Sequence, residues 1–255
     1  MTLDLYVRRD AWFHRLDPRT KLAFVLFWVM VLFIVNAPWP MLAALACVHA
    51  LALTTRVPAD RLGRAWRALW PITLLIIVLS SITWGAAGPA LIRVGQFSVS
   101  TSSLWQAITM AARVDALAFG FLLLLWTTEQ GELIAGLTRL GLSYGASLTL
   151  VIAMQFVPLL SRIFGEIVEA QQSRGLVIPR WNPIAAGRAY LPVLVPLLIT
   201  ALRMADNLSM ALVARGYGAG IKRSSRRQLH LAGRDWLVIL ISLGVCATVL
   251  TSRLL

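Results

Sequence analysis

The chain has 255 residues, of which 58% are hydrophobic and only 14% are charged, and its mean hydropathy is +0.75. Soluble domains carry roughly 25% charged residues, so this composition excludes an ordinary soluble protein and indicates an integral membrane protein. The formal net charge of +13 is compatible with nucleic-acid binding. The basic residues flank long apolar runs, however, which favours loops that face anionic lipid.

Two apolar runs near the N-terminus predict a helical hairpin. They cover residues 22–35 and 39–54, and the segment 36–40, Asn-Ala-Pro-Trp-Pro, forms the predicted turn. Each run is shorter than the roughly 20 residues that a membrane helix needs, so flanking residues must complete each span. A basic start before an apolar run also resembles a signal peptide. No small-residue cleavage site follows, so we expect the first helix to be retained.

Three further runs, at 70–84, 104–126 and 236–250, bring the expected number of firm spans to five. Basic residues precede the first span, follow the second and precede the last. Because positively charged loops stay in the cytoplasm, we expect the N-terminus inside and the C-terminus outside. The residues that set this orientation are Arg8, Arg9, Arg15, Arg19, Lys21, Arg56, Arg61, Arg64, Arg67, Lys222, Arg223, Arg226, Arg227 and Arg234.

The interval 127–235 has a different pattern. Its apolar runs, 144–160 and 190–202, are short and contain Pro158, Pro192 and Pro196, which favour helix breaks. Apolar residues also recur there at helical spacing on one side, as in helices that lie at an interface or against a protein. We therefore divide the chain into four N-terminal spans (1–126), a cytoplasmic-face helical module (127–235) and a C-terminal span (236–255). Whether the two short runs enter the membrane stays open.

The motifs of common enzymes are absent from the sequence. Its two lysines, Lys21 and Lys222, do not stand in a nucleotide-binding Gly-x-x-x-x-Gly-Lys loop. The three histidines show no zinc-binding spacing, and the two cysteines lie far apart inside apolar runs. We therefore expect no catalytic residue, metal or cofactor in this chain.

The clear charges inside a predicted span are Arg113 and Asp115. Charges at membrane depth are costly and often functional. Residues two positions apart do not share a helix face, so the two are not expected to form one site. Pairing of each with a neighbouring helix is the favoured interpretation, and a proton relay or substrate site is the alternative.

Two helical patterns in the module end on the same dipeptide, Arg174-Gly175 and Arg215-Gly216. Glycine suits the left-handed residue after a helix, and arginine in the last turn interacts favourably with the helix dipole. An exposed arginine at a helix end also suits a groove on a soluble partner, because its guanidinium presents five donors in a rigid fork. The residues alone support capping and docking about equally.

Four segments, in this order along nearly the whole chain, resemble one known family. It is the transmembrane coupling (T) component of energy-coupling factor transporters, of the EcfT and CbiQ type. The segments are HRLDPRTKL at 14–22, TTEQGELIAGLTRLGLS at 127–143, FVPLLSRIFGEIVEAQQSRG at 156–175 and ALRMADNLSMALVARGYG at 201–218.

The resemblance implies an all-α, polytopic, non-catalytic subunit of the bacterial or archaeal cell membrane. Such a subunit binds two cytoplasmic ATP-binding-cassette ATPases and a small membrane substrate-binding (S) subunit. Each of two coupling helices sets an x-Arg-Gly end into one ATPase. On this chain the docking residues are Ser173, Arg174, Gly175, Ala214, Arg215 and Gly216. The first end has serine where alanine is usual.

The resemblance also implies that the S subunit, which selects a vitamin or metal, lies against apolar surface of the coupling region. Residues for this contact, or for packing within the module, are Leu159, Ile163, Ile167, Leu198, Leu202 and Leu208. The sequence does not divide these six between the two roles. It also does not identify the cargo, or say whether the subunit serves one S subunit or several.

Two other functions stay open at this stage. A secondary transporter or channel is suggested by Arg113, Asp115 and the proline-containing runs, although the chain has no pair of matching halves. A membrane-bound recruiter of nucleic acid is suggested by the basic clusters, which lack a repeated arrangement of stacking aromatics. We expect lipid and protein partners, and no nucleic acid.

Overall fold

The structure, a computed structural model, describes residues 12–14, 16–83, 90–94, 97–177, 179, 183–219 and 233–254. These residues are helical apart from loops and one short antiparallel pair of strands, which confirms the expected all-α class. The elements are α1 (Pro18–Ile34), α2 (Pro38–Thr54), α3 (Ala59–Thr83), β1 (Ala90–Val94), β2 (Phe97–Ser100), α4 (Thr101–Thr127), α5 (Gln130–Arg139), α6 (Tyr144–Ser173), α7 (Pro183–Ala189), α8 (Leu191–Ala214) and α9 (Gly233–Leu254).

The chain forms two compact units. The main unit comprises Asp4–Leu142 and Leu229–Leu255, and the helix-pair unit comprises Met1–Leu3 and Ser143–Gln228. Helix α5, which the sequence interpretation groups with the module, packs in the main unit against the start of α1. A Cβ on its Gly136 would lie 3.2 Å from the Pro18 Cβ, so the glycine permits this close approach.

Five helical segments are long and apolar enough to cross a membrane: Ala59–Ser81, Thr101–Thr127, Tyr144–Ser173, Leu191–Ala214 and Gly233–Thr251. The number equals the number expected, but the members differ. Helices α1 and α2 have 17 residues each, fewer than a span usually needs. In contrast, α6 and α8 are uninterrupted helices of 30 and 24 residues.

The expectation that prolines break these two helices was therefore wrong. Pro158 lies inside α6 and Pro196 inside α8, while Pro192 lies in the first turn of α8. Proline has no backbone N–H, but in the first turn of a helix that N–H would have no acceptor within the helix, so proline is tolerated there. Interior prolines are tolerated in membrane helices because neighbouring groups and local adjustments satisfy the freed carbonyl.

The two predicted helices α1 and α2, and the short turn between them, are confirmed. Asp17 caps α1 by accepting a hydrogen bond from the Arg19 N–H at 3.0 Å, and Pro18 stands in its first turn. Pro38 begins α2, so the connection is the short segment 35–37. The fixed φ of proline suits both helix starts.

The arginine-rich segment after α2 differs from its prediction. Arg61, Arg64 and Arg67 belong to α3, which begins at Ala59, rather than to a loop. The prediction was based on the apolar run 70–84, and it therefore missed the polar first turns of α3, which begin at Ala59. The remaining basic residues used for orientation that precede residue 12 or fall within 220–232, together with Arg15, lie outside the described residues.

Helix α4 is the centre of the main unit. Its buried positions include Ala112, Ala116 and Gly120, which are spaced four apart and therefore share one face. Small residues let membrane helices approach closely. Here the Trp28 indole of α1 occupies that face, and its Nε1 donates to the Ala116 carbonyl at 3.0 Å.

A buried lysine links several helix ends of the main unit. Lys21 has no exposed surface, and its Nζ donates to the carbonyls of Thr127 at 2.9 Å and His14 at 3.2 Å. Nearby, the Asp235 carboxylate at the start of α9 accepts from the Asp17 N–H at 2.9 Å. The starts of α1 and α9 and the end of α4 are thus joined by hydrogen bonds to charged groups.

Replacement of Gly120 by alanine tests the close packing on α4. A Cβ there would lie 2.8 Å from two atoms of the Trp28 ring, so the indole must move and strain its hydrogen bond. We expect the Gly120→Ala variant to lose about 1–3 kcal/mol of unfolding free energy. The control is Gly63→Ala in α3, where no atom lies within 4 Å and alanine should stabilise by about 0.5–1 kcal/mol. Equal thermal unfolding midpoints in detergent for the two variants would contradict this.

Replacement of Lys21 by methionine tests the hydrogen bonds that join the helix ends. The variant keeps most of the side-chain volume but removes a charged donor from two carbonyls. We expect a loss of about 1.5–3 kcal/mol. The exposed Arg64 provides the control, because Arg64→Met should change stability by less than about 0.5 kcal/mol. Thermal unfolding in one detergent compares them, and an unchanged midpoint for Lys21→Met would count against the assignment.

Candidate functional site

The two Arg-Gly helix ends have the same backbone conformation. Arg174 follows α6 with φ −91° and ψ 11°, and Arg215 follows α8 with φ −88° and ψ 13°. The next residues, Gly175 and Gly216, have φ of +91° and +74°. This left-handed region strains residues with a Cβ, so glycine is favoured at both positions.

The hydrogen bonds of the two ends also match. At the end of α6, the Gly175 N–H donates to the Gln172 carbonyl and the Leu176 N–H to the Gln171 carbonyl, both at 3.0 Å. At the end of α8, Gly216 and Tyr217 donate to Val213 and Leu212, both at 2.9 Å. This pair of bonds defines a Schellman cap. The capping interpretation is therefore confirmed at both ends.

A third helix has the same cap, but leucine rather than arginine stands directly before its glycine. After α5, Gly141 has φ +120°, its N–H donates to the Thr138 carbonyl, and the Leu142 N–H donates to the Leu137 carbonyl. The residue before this glycine is Leu140. The cap by itself is therefore a general way to end a helix. What distinguishes the ends of α6 and α8 is an exposed arginine directly before the cap glycine; in α5 the exposed Arg139 stands one residue earlier.

The two arginine-bearing ends lie at opposite ends of one helix pair. At the end of α6, the Gln171 Nε2 donates to the carbonyl of Pro192, in the first turn of α8, at 3.3 Å. At the start of α6, a Cβ on Gly145 would lie 3.7 Å from the Tyr217 hydroxyl, just beyond the end of α8. The helices therefore run antiparallel. The 24 residues of α8 extend about 36 Å, so the two arginines are far apart.

The serine that replaces the usual alanine does not alter the first end. The Ser173 hydroxyl donates to the Glu169 carbonyl of its own helix at 3.0 Å. Its polarity is therefore satisfied within α6, as is common for serine in helices. A side chain whose hydroxyl bonds back to its helix presents a surface of nearly alanine size.

The six apolar residues named from the sequence fall into two groups. Ile163, Ile167 and Leu208 are half-buried. Leu159, Leu198 and Leu202 are 40%, 61% and 60% exposed. Within the described parts of α6 and α8, Ser147 and Val193 are the fully buried residues. Most of the apolar surface of the pair is therefore available to lipid or to a protein.

The two intramembrane charges each contact neighbouring elements of the main unit. Arg113 Nη2 donates to the Val35 carbonyl and to Asn36 Oδ1, both at 2.7 Å, and so caps the end of α1. Asp115 is 3% exposed and accepts from the Thr73 hydroxyl of α3 at 2.8 Å. The favoured interpretation, pairing with neighbouring helices, agrees with both contacts. The structure does not bring the two charges to one site.

Lys21 and Asp235 were not singled out as a pair by the sequence analysis. Each stands directly before an apolar run, Lys21 before 22–35 and Asp235 before 236–250. Lys21 also lies in the HRLDPRTKL segment. A charge at such an edge can equally face water. The burial of Lys21 depends on hydrogen bonds to the carbonyls of Thr127 and His14. The sequence around Lys21 does not indicate that these carbonyls lie close to it.

Comparison with known proteins places the chain in a family. The family model for CbiQ, described as a cobalt transport protein, matches residues 9–229. Relatives named energy-coupling factor transporter transmembrane protein EcfT include that of Heliobacterium modesticaldum, 33% identical over 96% of this chain and 94% of that protein. The Bacillus subtilis protein is 32% identical (98% and 97%), and the Clostridium kluyveri protein is 31% identical (98% and 96%).

The family match, the relatives that cover nearly the whole chain and the long apolar helices all indicate the same family. The chain belongs to the CbiQ family, as a multi-pass transmembrane T component of energy-coupling factor transporters.

Proposed function

We propose that this chain couples two cytoplasmic ATP-binding-cassette ATPases to a membrane S subunit that carries a vitamin or metal. The observation that supports this most is the pair of matching arginine-bearing ends at opposite ends of the α6–α8 pair. Two equal contact points about one helix length apart suit two similar partners. The chain itself is non-catalytic in this proposal, and the ATPases hydrolyse ATP.

Each end would bind an ATPase through its arginine. The glycine cap turns the chain sharply after Arg174 and Arg215, so each exposed side chain stands at the tip of a helix. A guanidinium fork pairs well with carboxylates or with the carbonyls at a helix end in a groove. Loss of one partner of such a buried contact costs about 2–5 kcal/mol.

The helices would transmit movement of the ATPases to the S subunit. Both α6 and α8 continue through their interior prolines, so a displaced arginine end moves a long continuous element. ATP binding would draw the ATPases together, shift the two ends and tilt the S subunit so that it releases its cargo inward.

The exposure of the apolar residues supports a division of roles along the pair. Leu159, Leu198 and Leu202 are exposed and suit contact with the S subunit. The half-buried Ile163, Ile167 and Leu208 suit packing within the helix-pair unit. This division of the six residues is based on how much of each side chain the described residues leave exposed.

The proposed orientation has the N-terminus in the cytoplasm. Basic residues stand at the starts of α1, α3 and α9: Arg19 and Lys21, Arg61 and Arg64, and Arg234. Positively charged segments are retained on the cytoplasmic side. Cytoplasmic ATPases also require both arginine ends to be accessible from that side of the bacterial or archaeal cell membrane. In this proposal the antiparallel α6–α8 pair therefore lies along the cytoplasmic face and does not span the membrane, although both helices are long and apolar enough to do so.

Charge reversal at the two ends tests docking. We expect the Arg174→Glu/Arg215→Glu double variant to recover about tenfold less ATPase than the wild type after purification from native membranes, because both fork contacts become repulsive. Mass spectrometry of the co-purified proteins measures this and identifies the S subunit. The matched control is Arg162→Glu/Arg203→Glu, which makes the same charge change at exposed positions on the same two helices.

Full ATPase recovery by the double variant would reject docking through these ends. Absence of any ATPase from the wild-type sample would reject the coupling role. Transport that needs no ATPase and is lost in Arg113→Gln would favour the secondary-transporter alternative, although Arg113 caps α1 in the structure.

Alanine at the cap glycines tests the shape of the ends separately from their charge. Gly175→Ala and Gly216→Ala would each strain a left-handed residue by about 1–2 kcal/mol, in open space where no clash adds to the effect. We expect the last turn to shift and ATPase recovery to fall, with the arginines unchanged. Gly141→Ala imposes the same kind of strain after α5 and should leave recovery intact. Equal losses from all three variants would indicate general destabilisation.

A further inference from the structure

An apolar cavity of about 270 Å³ lies in the main unit between α1, α2 and α9. Its lining includes Phe24, Trp28 and Val31 of α1, Cys47 of α2, and Val238 and Val245 of α9. None of the contacts proposed for the ATPases or the S subunit uses this cavity, which lies entirely within one compact unit.

One wall of the cavity is a continuous row of aromatic rings. The ring centroids of Trp12 and Phe13 are 5.5 Å apart, those of Phe13 and Phe24 are 5.9 Å apart, and those of Phe24 and Trp28 are 6.1 Å apart. Such edge-to-face and stacked pairs stabilise one another. The wall is therefore preformed rather than assembled around a ligand.

The polar atoms of two lining side chains are already bonded to the protein. Trp28 Nε1 donates to the Ala116 carbonyl at 3.0 Å, and the Ser242 hydroxyl donates to the Val238 carbonyl at 2.7 Å. The remaining lining is apolar, and apolar surface of this kind is suited to hydrocarbon rather than to water.

The cavity is lined along both α1 and α9. The starts of α1 and α9 meet at the Asp17–Asp235 hydrogen bond, and the two helices line the cavity with residues 24–31 and 238–245.

One end of the cavity has the features of a membrane interface. Trp12, which lines it, is 46% exposed, and tryptophan is enriched at the level of lipid headgroups. Arg234 is exposed at the start of α9, beside Asp235. Basic residues between membrane helices on the cytoplasmic side bind anionic headgroups.

From the apolar lining and from Arg234, which stands four residues before the lining residue Val238 on α9, we propose that this cavity binds one acyl chain of an anionic phospholipid, with Arg234 contacting the headgroup. The lipid comes from the leaflet at which α1 and α9 begin, which is the cytoplasmic leaflet in the orientation proposed above. The bound chain fills the space between α1, α2 and α9. The site does not depend on ATPase docking, so the two proposals fail independently.

The test blocks the cavity from α9. The Ser242→Phe/Val245→Phe variant places two rings into the space, whereas Leu240→Phe/Leu243→Phe places two rings at the same spacing on exposed positions outside the lining. Each full-length chain is purified in mild detergent and incubated with vesicles of equal parts phosphatidylglycerol and phosphatidylcholine. Native mass spectrometry then counts the retained lipids.

We expect the wild type and the exposed-site control to retain one phosphatidylglycerol per chain, and the blocked variant to retain about tenfold less. Arg234→Gln should keep a lipid but lose the preference for phosphatidylglycerol. Unchanged lipid retention by a folded blocked variant would overturn the proposal. If the blocked variant instead loses a co-purifying membrane protein, the cavity is a protein interface and the proposal is also wrong.

The proposal stays testable if the blocked variant does not fold. In that case the wild type and Arg234→Gln decide. Equal retention of the two lipids by the wild type, or none of either, would overturn the assignment of an anionic phospholipid.

Discussion

A protein in a membrane must satisfy its own backbone polar groups, because hydrocarbon offers no partner for them. Helix interiors meet this constraint automatically, but the last carbonyls of every helix do not. In this chain long basic side chains serve two such ends: Lys21 donates to Thr127 at the end of α4, and Arg113 to Val35 at the end of α1. Glycine caps serve α5, α6 and α8.

Hydrogen bonding to helix-end carbonyls therefore explains the positions of Lys21 and Arg113, which would otherwise suggest a functional site. A buried lysine and an intramembrane arginine each resemble parts of an ion pathway when only the sequence is known. Their carbonyl partners give them structural roles in the main unit. The arginines after α6 and α8 differ, because glycine caps already satisfy the carbonyls there and both side chains are exposed.

Much of the fold could be predicted from local patterns, and the rest depended on tertiary contacts. Helices α1 and α2 and their short connection followed from two apolar runs and a proline-rich turn. Proline was misleading in α6 and α8, since a long apolar helix can continue through it when other groups satisfy the freed carbonyl. The contact of Asp115 with Thr73 joins residues 42 positions apart, which a single sequence does not reveal.

The candidate site was predicted in part. The cap at each Arg-Gly end follows from glycine alone, and the structure has it in three helices. The antiparallel arrangement, which separates the two arginines, rests on contacts of Gln171 with Pro192 and of Gly145 with Tyr217. Those contacts join residues 21 and 72 positions apart and have no signature in the sequence.

An antiparallel pair with the same cap at each end has an approximate twofold axis across its middle, although its two helices have unrelated sequences. Twofold symmetry is also the commonest symmetry of protein dimers. A single asymmetric chain can thereby match a symmetric partner without being a dimer itself. Because the helices differ in length and in the residue before arginine, two identical partner subunits would become distinguishable once bound.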